Sequence, residues 1–167
     1  MYDELTQVDI EKMQEEINHR VRVLRPQLIE EVQVARAHGD LSENFEYKCA
    51  KQAKNRNDSR IRYLERMIRT AKVIEVKAEE DKVGLFDTVT VYNELAKREM
   101  ELRIVTTLRQ DVLKGLISKE SPVGRALMGR GVGERVEVEA GTGVKYWMEI
   151  RAIQKGTDDA SLDISAY

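Results

Sequence analysis

Apolar residues recur at Ile10, Met13, Ile17, Val21, Leu24, Leu28, Val32 and Ala35, in steps of three and four. Such steps mark one face of a helix, and their eleven-residue repeat predicts a nearly straight or slightly right-handed helix pair. Thr6 and Asp9 stand at capping-box spacing, so the first helix is predicted from Thr6 to about His38. A second stripe, Ala50, Ala53, Asn57, Ile61, Leu64, Ile68 and Ala71, predicts another helix from about Ser42 to about Glu75. Facing residues of an antiparallel hairpin have numbers of constant sum. Val32 then meets Ala50, Leu28 meets Ala53, Leu24 meets Asn57, Val21 meets Ile61, Ile17 meets Leu64, Met13 meets Ile68 and Ile10 meets Ala71. That register puts Asp40 at the apex of a finger about 45–50 Å long. A coiled-coil dimerisation arm is the plainer explanation of the same pattern.

Two seam positions break the hydrophobic rule. Pro26 lies inside the first helix, where it removes a hydrogen bond and predicts a kink. Asn57 lies within about one turn of it across the seam, either offering its amide to a carbonyl freed by the proline or setting the register as a polar core residue.

At the turn the chain reads R-A-H-G-D-L-S-E-N-F-E-Y, residues 36 to 47. Gly39 is a natural helix terminator, and Asp40 with Glu43 reads as a capping box opening the second helix. Asp40, Glu43 and Glu46 crowd carboxylates at an exposed end, and Phe45 is expected to point outward with Lys48 and Gln52. Beyond the apex, Lys48, Lys51, Lys54, Arg56, Arg60, Arg62, Arg66, Arg69 and Lys72 stand against only Asp58 and Glu65. An acidic apex on a basic shaft suits a carboxylate placed beside a metal while nucleic acid lies near. A solvated helix face explains the charges equally well. Hard oxygen ligands suit Mg²⁺, but two carboxylates on an exposed turn hold it weakly and make no two-metal nuclease alone. The apex can only complete another protein's site.

Length, charge and cysteine content narrow the class. A chain of 167 residues allows one domain or two small ones. Its net charge of -2 argues against a general nucleic-acid coat. Cys49 is the only cysteine, which excludes a disulfide framework and a thiolate metal cage. The polar N-terminus and the lack of any long apolar run predict a soluble, cytoplasmic protein with no membrane contact.

After a short charged linker, residues 77–82, the hydrophobic period drops to two. Phe86 to Asn93, Glu99 to Thr107, Glu134 to Glu139 and Lys145 to Ile153 alternate as strands, with Gly141-Thr142-Gly143 as a hairpin turn. Ser121 and Pro122 predict the N-cap and first turn of a short helix reaching Gly129. The fold class is therefore α+β: a helical hairpin over residues 1–76 and a twisted antiparallel sheet with one helix over 83–167. Residues 111–115 find no place in the pattern. Phe86, Tyr92, Tyr146, Trp147 and Tyr167 are too dispersed to claim an isomerase pocket, and core packing explains most of them better.

H-G-D-L-S-E-N-F-E-Y, with V-A-R-A before it and R-Y-L-E-R-M-I-R-T-A-K-V-I after it, resembles the hairpin of the bacterial Gre transcript cleavage factors. The likeness is nearer GreA than the more basic GreB. It continues through I-S-K-E-S-P-V-G-R-A-L-M-G-R and G-E-R-V-E-V-E-A-G-T-G-V-K-Y-W-M-E-I, covering nearly the whole chain. The resemblance implies an FKBP-like C-terminal domain and a coiled-coil finger that enters the secondary channel of bacterial RNA polymerase. There the tip acids, by motif match Asp40 and Glu43, help the polymerase hold a second Mg²⁺ that hydrolyses backtracked nascent RNA. Ser42, Asn44, Phe45, Glu46 and Tyr47 would support the tip, and Lys48, Lys51 and Arg56 would face the RNA. The family usually has a small residue where this chain has Phe45.

Docking affinity is expected from the C-terminal domain, at the segment Ser118 to Arg130 with Ser121, Pro122 and Arg125, because the apex offers only a few weak contacts. The free chain is expected to be a monomer, not an enzyme, with no tightly bound cofactor, sharing its Mg²⁺ with the polymerase. A channel-binding paralogue that inhibits polymerase, and a folding helper with a helical arm, are the two alternatives. The intact G-D-L-S-E-N apex disfavours the first and the lack of an aromatic cluster the second.

Overall fold

A computed structural model describes residues 3–39 and 43–166. The chain forms two compact units. One spans Ile10–Ala71; the other joins the N-terminal residues up to Asp9 to Lys72–Ala166. The N-terminal residues and 72–76, which the pattern groups with the hairpin, thus lie with the sheet.

In the first unit α1 (Gln7–His19) leads through a widened turn, Arg20–Leu24, into α2 (Arg25–Ala37), and α3 (Phe45–Thr70) returns. The 26 residues of α3 span about 39 Å at 1.5 Å each. It is shorter than the pattern predicts at both ends. Its start moves to Phe45 because Asn44 takes the cap position. Its end comes at Thr70 because Ala71 is extended and β2 (Lys72–Val73) pairs in parallel with β1 (Glu4–Leu5). Two-residue strands leave no periodicity to read, so the hydrophobic pattern does not reveal that pairing.

Pro26 does not break the rod. Just before it the helix opens into a π turn, in which the Arg25 N–H donates to the Arg20 carbonyl. A widened turn next to a proline moves the ring out of the preceding carbonyl's way. Ile17, Ile61 and Leu64 are buried at the seam, whereas Leu24, Leu28 and Val32 are only half-buried and Ala53 is exposed. Asn57 is buried; its Nδ2 donates to the Arg20 carbonyl (3.2 Å) and its Oδ1 accepts from Arg20 Nη1 (2.9 Å). A proline at 26 frees the carbonyl of Arg22, not that of Arg20, so Asn57 acts as the polar, register-setting residue.

The second unit is a five-stranded sheet of order β5-β4-β3-β7-β6. β3 (Thr88–Asn93), β4 (Arg98–Val105), β6 (Arg135–Glu139) and β7 (Lys145–Gln154) pair antiparallel, with a bulge in β7 opposite Thr90 and Val91. β5 (Leu116–Ser118) pairs with β4 in parallel, so the sheet is mixed, not purely antiparallel as predicted. The unplaced stretch now has a role. Asp111 caps a single 3₁₀ turn, Val112–Lys114, accepting from the Leu113 N–H at 3.2 Å, and this turn delivers the chain to β5.

The short helix α4 (Pro122–Leu127) starts as predicted: Ser121 Oγ accepts from the Gly124 N–H at 3.0 Å, and Pro122 occupies the first turn. It stops two residues before Gly129. Gly124 allows α4 to lie against the preceding loop, since a Cβ there would collide with the Ser118 carbonyl.

Alternation buries Val89, Val91, Ile104, Val136, Val138, Met148 and Ile150 on one face of the sheet, closed by Phe86 and Leu127. Of the dispersed aromatics Tyr167 lies outside the described residues, and among the others only Phe86 is fully buried. Tyr92 and Trp147 lie on the other face under Arg151 (4.4 Å) and Arg135 (4.2 Å).

One buried ionic knot holds the ends of this unit. Asp9 Oδ2 accepts from the Thr6 N–H (3.0 Å), and the Asp9 N–H donates to Thr6 Oγ1 (3.3 Å), completing the predicted capping box. The other oxygen of Asp9 accepts from Arg109 Nε at 2.7 Å, and both side chains are wholly buried. Arg109 also donates to the Asp159 carbonyl (2.9 Å), pairs with Asp158 (2.6 Å) and stacks on Phe86 (5.1 Å). A buried guanidinium needs this many partners to offset desolvation.

Candidate functional site

The turn of the hairpin is built by Asn44. Its side-chain oxygen accepts from the Tyr47 N–H at 3.0 Å, capping α3, while its Nδ2 donates to the Ala35 carbonyl at 2.7 Å. One amide thus satisfies an orphan donor of α3 and ties it to the last turn of α2. α2 closes with the His38 N–H donating to Ala35, and Gly39 takes φ +121°, a conformation that favours glycine. Asp40 and Ser42, predicted as a tip acid and its support, lie outside the described residues, as does Leu41. The predicted capping box therefore gives way on its visible side: Glu43 precedes the helix and is exposed.

Around this turn each remaining tip residue has a place. Phe45 is the first residue of α3 and is 76% exposed, as predicted. Glu46 lies 3.2 Å from His38, an exposed contact between the two helices. Tyr47 is half-buried. The Arg36 guanidinium, beside it at 5.7 Å from the ring centroid, pulls the phenol below its ordinary range, aided by Lys51. Sequence reasoning missed Arg36 and the double duty of Asn44. Asp40, Ser42 and Asn44 are all good N-cap residues, and nothing local chooses among them.

Down the shaft the basic excess divides into two groups. Arg60, counted in the basic shaft, is buried and donates to Glu16 through Nε (2.8 Å) and Nη2 (3.2 Å), with Arg20 on the same carboxylate at 2.8 Å. Burial pushes the Glu16 carboxyl up, but the guanidiniums of Arg60 and Arg20 more than reverse this and hold it below the usual range. Asp58 likewise accepts from Lys54 (3.1 Å) and Arg25 (3.2 Å). The exposed group is Lys48, Lys51, Arg62, Arg66 and Arg69, which helical periodicity puts on one stripe opposite Asn57, Ile61 and Leu64. Arg56 is exposed but lies off that stripe.

Among the described residues no group of three or more His, Cys, Asp or Glu gathers to hold a metal ion. Glu43, an exposed hard-oxygen donor, suits Mg²⁺ only as one ligand of a set completed from elsewhere.

Residues 4–73 match the N-terminal transcription elongation factor model of GreA and GreB, and residues 77–155 match the C-terminal GreA/GreB model. The chain belongs to the GreA/GreB transcription elongation factor family. It is 42% identical over 153 residues to a transcription elongation factor GreA of Chelativorans sp., covering 91% of this chain and 97% of that one. A GreA of Brucella canis is also 42% identical, over 151 residues, covering 90% and 96%. Among solved structures, the GreA factor homolog 1 (Gfh1) of Thermus thermophilus is 25% identical, with a TM-score of 0.43, covering 93% of this chain and all of that one.

The docking segment predicted for this GreA/GreB family member lies in the sheet unit. Ser121 is occupied as the α4 cap, its hydroxyl also donating to the Ser118 carbonyl at 2.7 Å. Pro122 and Arg125 are exposed beside it, Arg125 approaching Glu120 at 3.5 Å. No helix among the described residues is long and apolar enough to cross a membrane.

Proposed function

We propose that the chain binds bacterial RNA polymerase, inserts its hairpin tip into the secondary channel and stimulates Mg²⁺-dependent cleavage of backtracked RNA. The observation that carries this is 42% identity, over nine-tenths of the chain, to proteins named transcription elongation factor GreA. The local geometry suits the task. The Asn44 clamp fixes the base of a turn whose Glu43 is exposed, so a carboxylate can approach another protein's metal without unfolding the cap.

In this mechanism Asp40 and Glu43 would supply oxygen ligands to a Mg²⁺ ion shared with the polymerase, and such an ion would supply charge stabilisation for hydrolysis. The factor itself cleaves nothing. Lys48 and Lys51, on the exposed stripe, lie toward the RNA phosphates, and Phe45 offers a ring for a base to stack on. The segment around Ser121, Pro122 and Arg125 supplies docking affinity to a protomer acting singly.

A cleavage assay on a stalled, backtracked polymerase complex tests this. Asp40→Asn and Glu43→Ala each lower stimulated cleavage by about a hundredfold, with polymerase binding nearly unchanged. Full stimulation by Asp40→Asn would make that carboxylate structural and put the competing, inhibitory paralogue first.

A further inference from the structure

The flank of the finger between α2 and the start of α3 carries an open cleft of about 750 Å³ that the tip chemistry does not use. Its origin is in the sequence. The distal seam of α3 offers Ala50 and Ala53, where the proximal seam offers Ile61 and Leu64, so the helices there leave space that no described side chain fills. Val34, itself exposed, forms part of the apolar wall. Glu30, Glu31 and Glu46 line it beside Gln27 and Ala35, and among the described residues no Lys or Arg lines the cleft.

The finger is thus charge-segregated. The outward stripe of α3 carries Lys48, Lys51, Arg62, Arg66 and Arg69, while the cleft flank is apolar with a carboxylate rim. A phosphate backbone is repelled by such a rim and gains nothing from an alanine floor. A protein segment presenting an apolar side chain next to a Lys or Arg fits both features.

Resting on the polymerase reading above, we infer that this cleft is a protein-docking surface, which seats an apolar side chain flanked by a basic residue of the polymerase channel wall. The basic stripe faces nucleic acid on the other side. The cleft sets the rotation of the finger about its own axis, and with it the side on which the tip acids arrive.

Cys49, the only cysteine of the chain, lines the cleft and is exposed, so the native protein carries its own probe position. The full-length protein, labelled there with a photo-crosslinker, is added to polymerase stalled on backtracked RNA. A Cys49→Ser/Lys51→Cys variant, labelled in the same way, reports the opposite face. The expected result is a crosslink from Cys49 to a polymerase subunit and one from position 51 to RNA. A Cys49 crosslink to RNA, or none while the complex stays bound, overturns the proposal. Glu30→Lys/Glu31→Lys needs no label; it weakens polymerase binding about tenfold with unchanged helix content by circular dichroism. Unchanged affinity overturns the docking role. If the unlabelled native chain fails to bind polymerase at all, the polymerase reading fails instead.

Discussion

The two units of this chain are held together by different physics. The sheet unit has a continuous apolar core in which Phe86, Val89, Val91, Ile104, Leu127 and Ile150 are almost fully buried. The finger has no comparable interior. Besides a few apolar residues its buried set contains Asn57 and Arg60, satisfied by Arg20 and Glu16 on the other helix. Two helices alone cannot surround a core, so register comes from directional polar bonds, which fail when misaligned. A sheet backed by a helix can bury its face and sets its register by strand pairing, so its buried pair of Asp9 with Arg109 ties the chain's N-terminal residues to the sheet instead of fixing a register. The units differ accordingly: the sheet unit is the more densely packed, and the finger exposes a basic stripe and an acid-rimmed flank.

The largest test of this contrast is Phe86→Ala. Phe86 is fully buried, lies under the Arg109 guanidinium and holds φ +70°, so its loss removes both filling and the support of a left-handed backbone. A destabilisation of about 4 kcal/mol is expected in denaturant melts of the sheet unit, with the helical signal of the finger lost in its own transition. A single transition, shifted as a whole, would show that the two cores are not separate.

Glu16→Ala probes the finger. It strips Arg60 and Arg20 of their shared carboxylate and should cost about 2 kcal/mol of hairpin stability, less than a fully buried pair because Glu16 keeps some solvent contact. Loss of helicity at lower temperature in circular dichroism measures it, and no change would mean that the seam is apolar in effect.

At the tip, Asn44→Ala removes a cap and a cross-turn bond, about 1 kcal/mol together at this exposed site. Asn44→Asp keeps the acceptor for the Tyr47 N–H and loses the donor to Ala35, so it should recover part of the loss. Equal defects in the two variants would assign the whole effect to the bond with Ala35.

The smallest effect is acid sensitivity of the finger. Glu16 and Asp58 have folded-state pKa values below their ordinary 4.5 and 3.8. A depressed carboxylate contributes stability that is present above its unfolded pKa and is lost as pH falls through the folded one. Finger stability should therefore be flat above about pH 5 and decline below it. Thermal melts across pH 3 to 7 check this; a finger that strengthens on acidification would reverse the assignment of these pairs.

Much of this was legible in the chain. The step pattern from Ile10 to Ala35 and the alternation from Val89 to Ile150 follow directly from helical and strand periods, so both units could be named from sequence. The Thr6–Asp9 box and the Ser121–Pro122 start were legible because capping depends on neighbours a few residues apart. The exposure of Phe45 followed from its position on the wheel. The start of α3 was not legible, since three cap-forming residues within five positions compete and the Asn44 cap is fixed by the Ala35 carbonyl, nine residues earlier. The parallel strand β5, three residues long, carries too few positions to show a period.

By itself the sequence determined which residues repeat with helical or strand period, where carboxylates and basic side chains concentrate, and which family motifs the chain carries. Those are properties of short-range spacing. Only the tertiary structure decided that Arg60 is a buried seam residue instead of a free cation, that Asp9 serves Arg109 as well as its own cap, and that the alanine seam leaves an open, acid-rimmed cleft. Each depends on a partner tens of residues away or more, and a charge reads the same along the chain whether it ends in water or against a carboxylate.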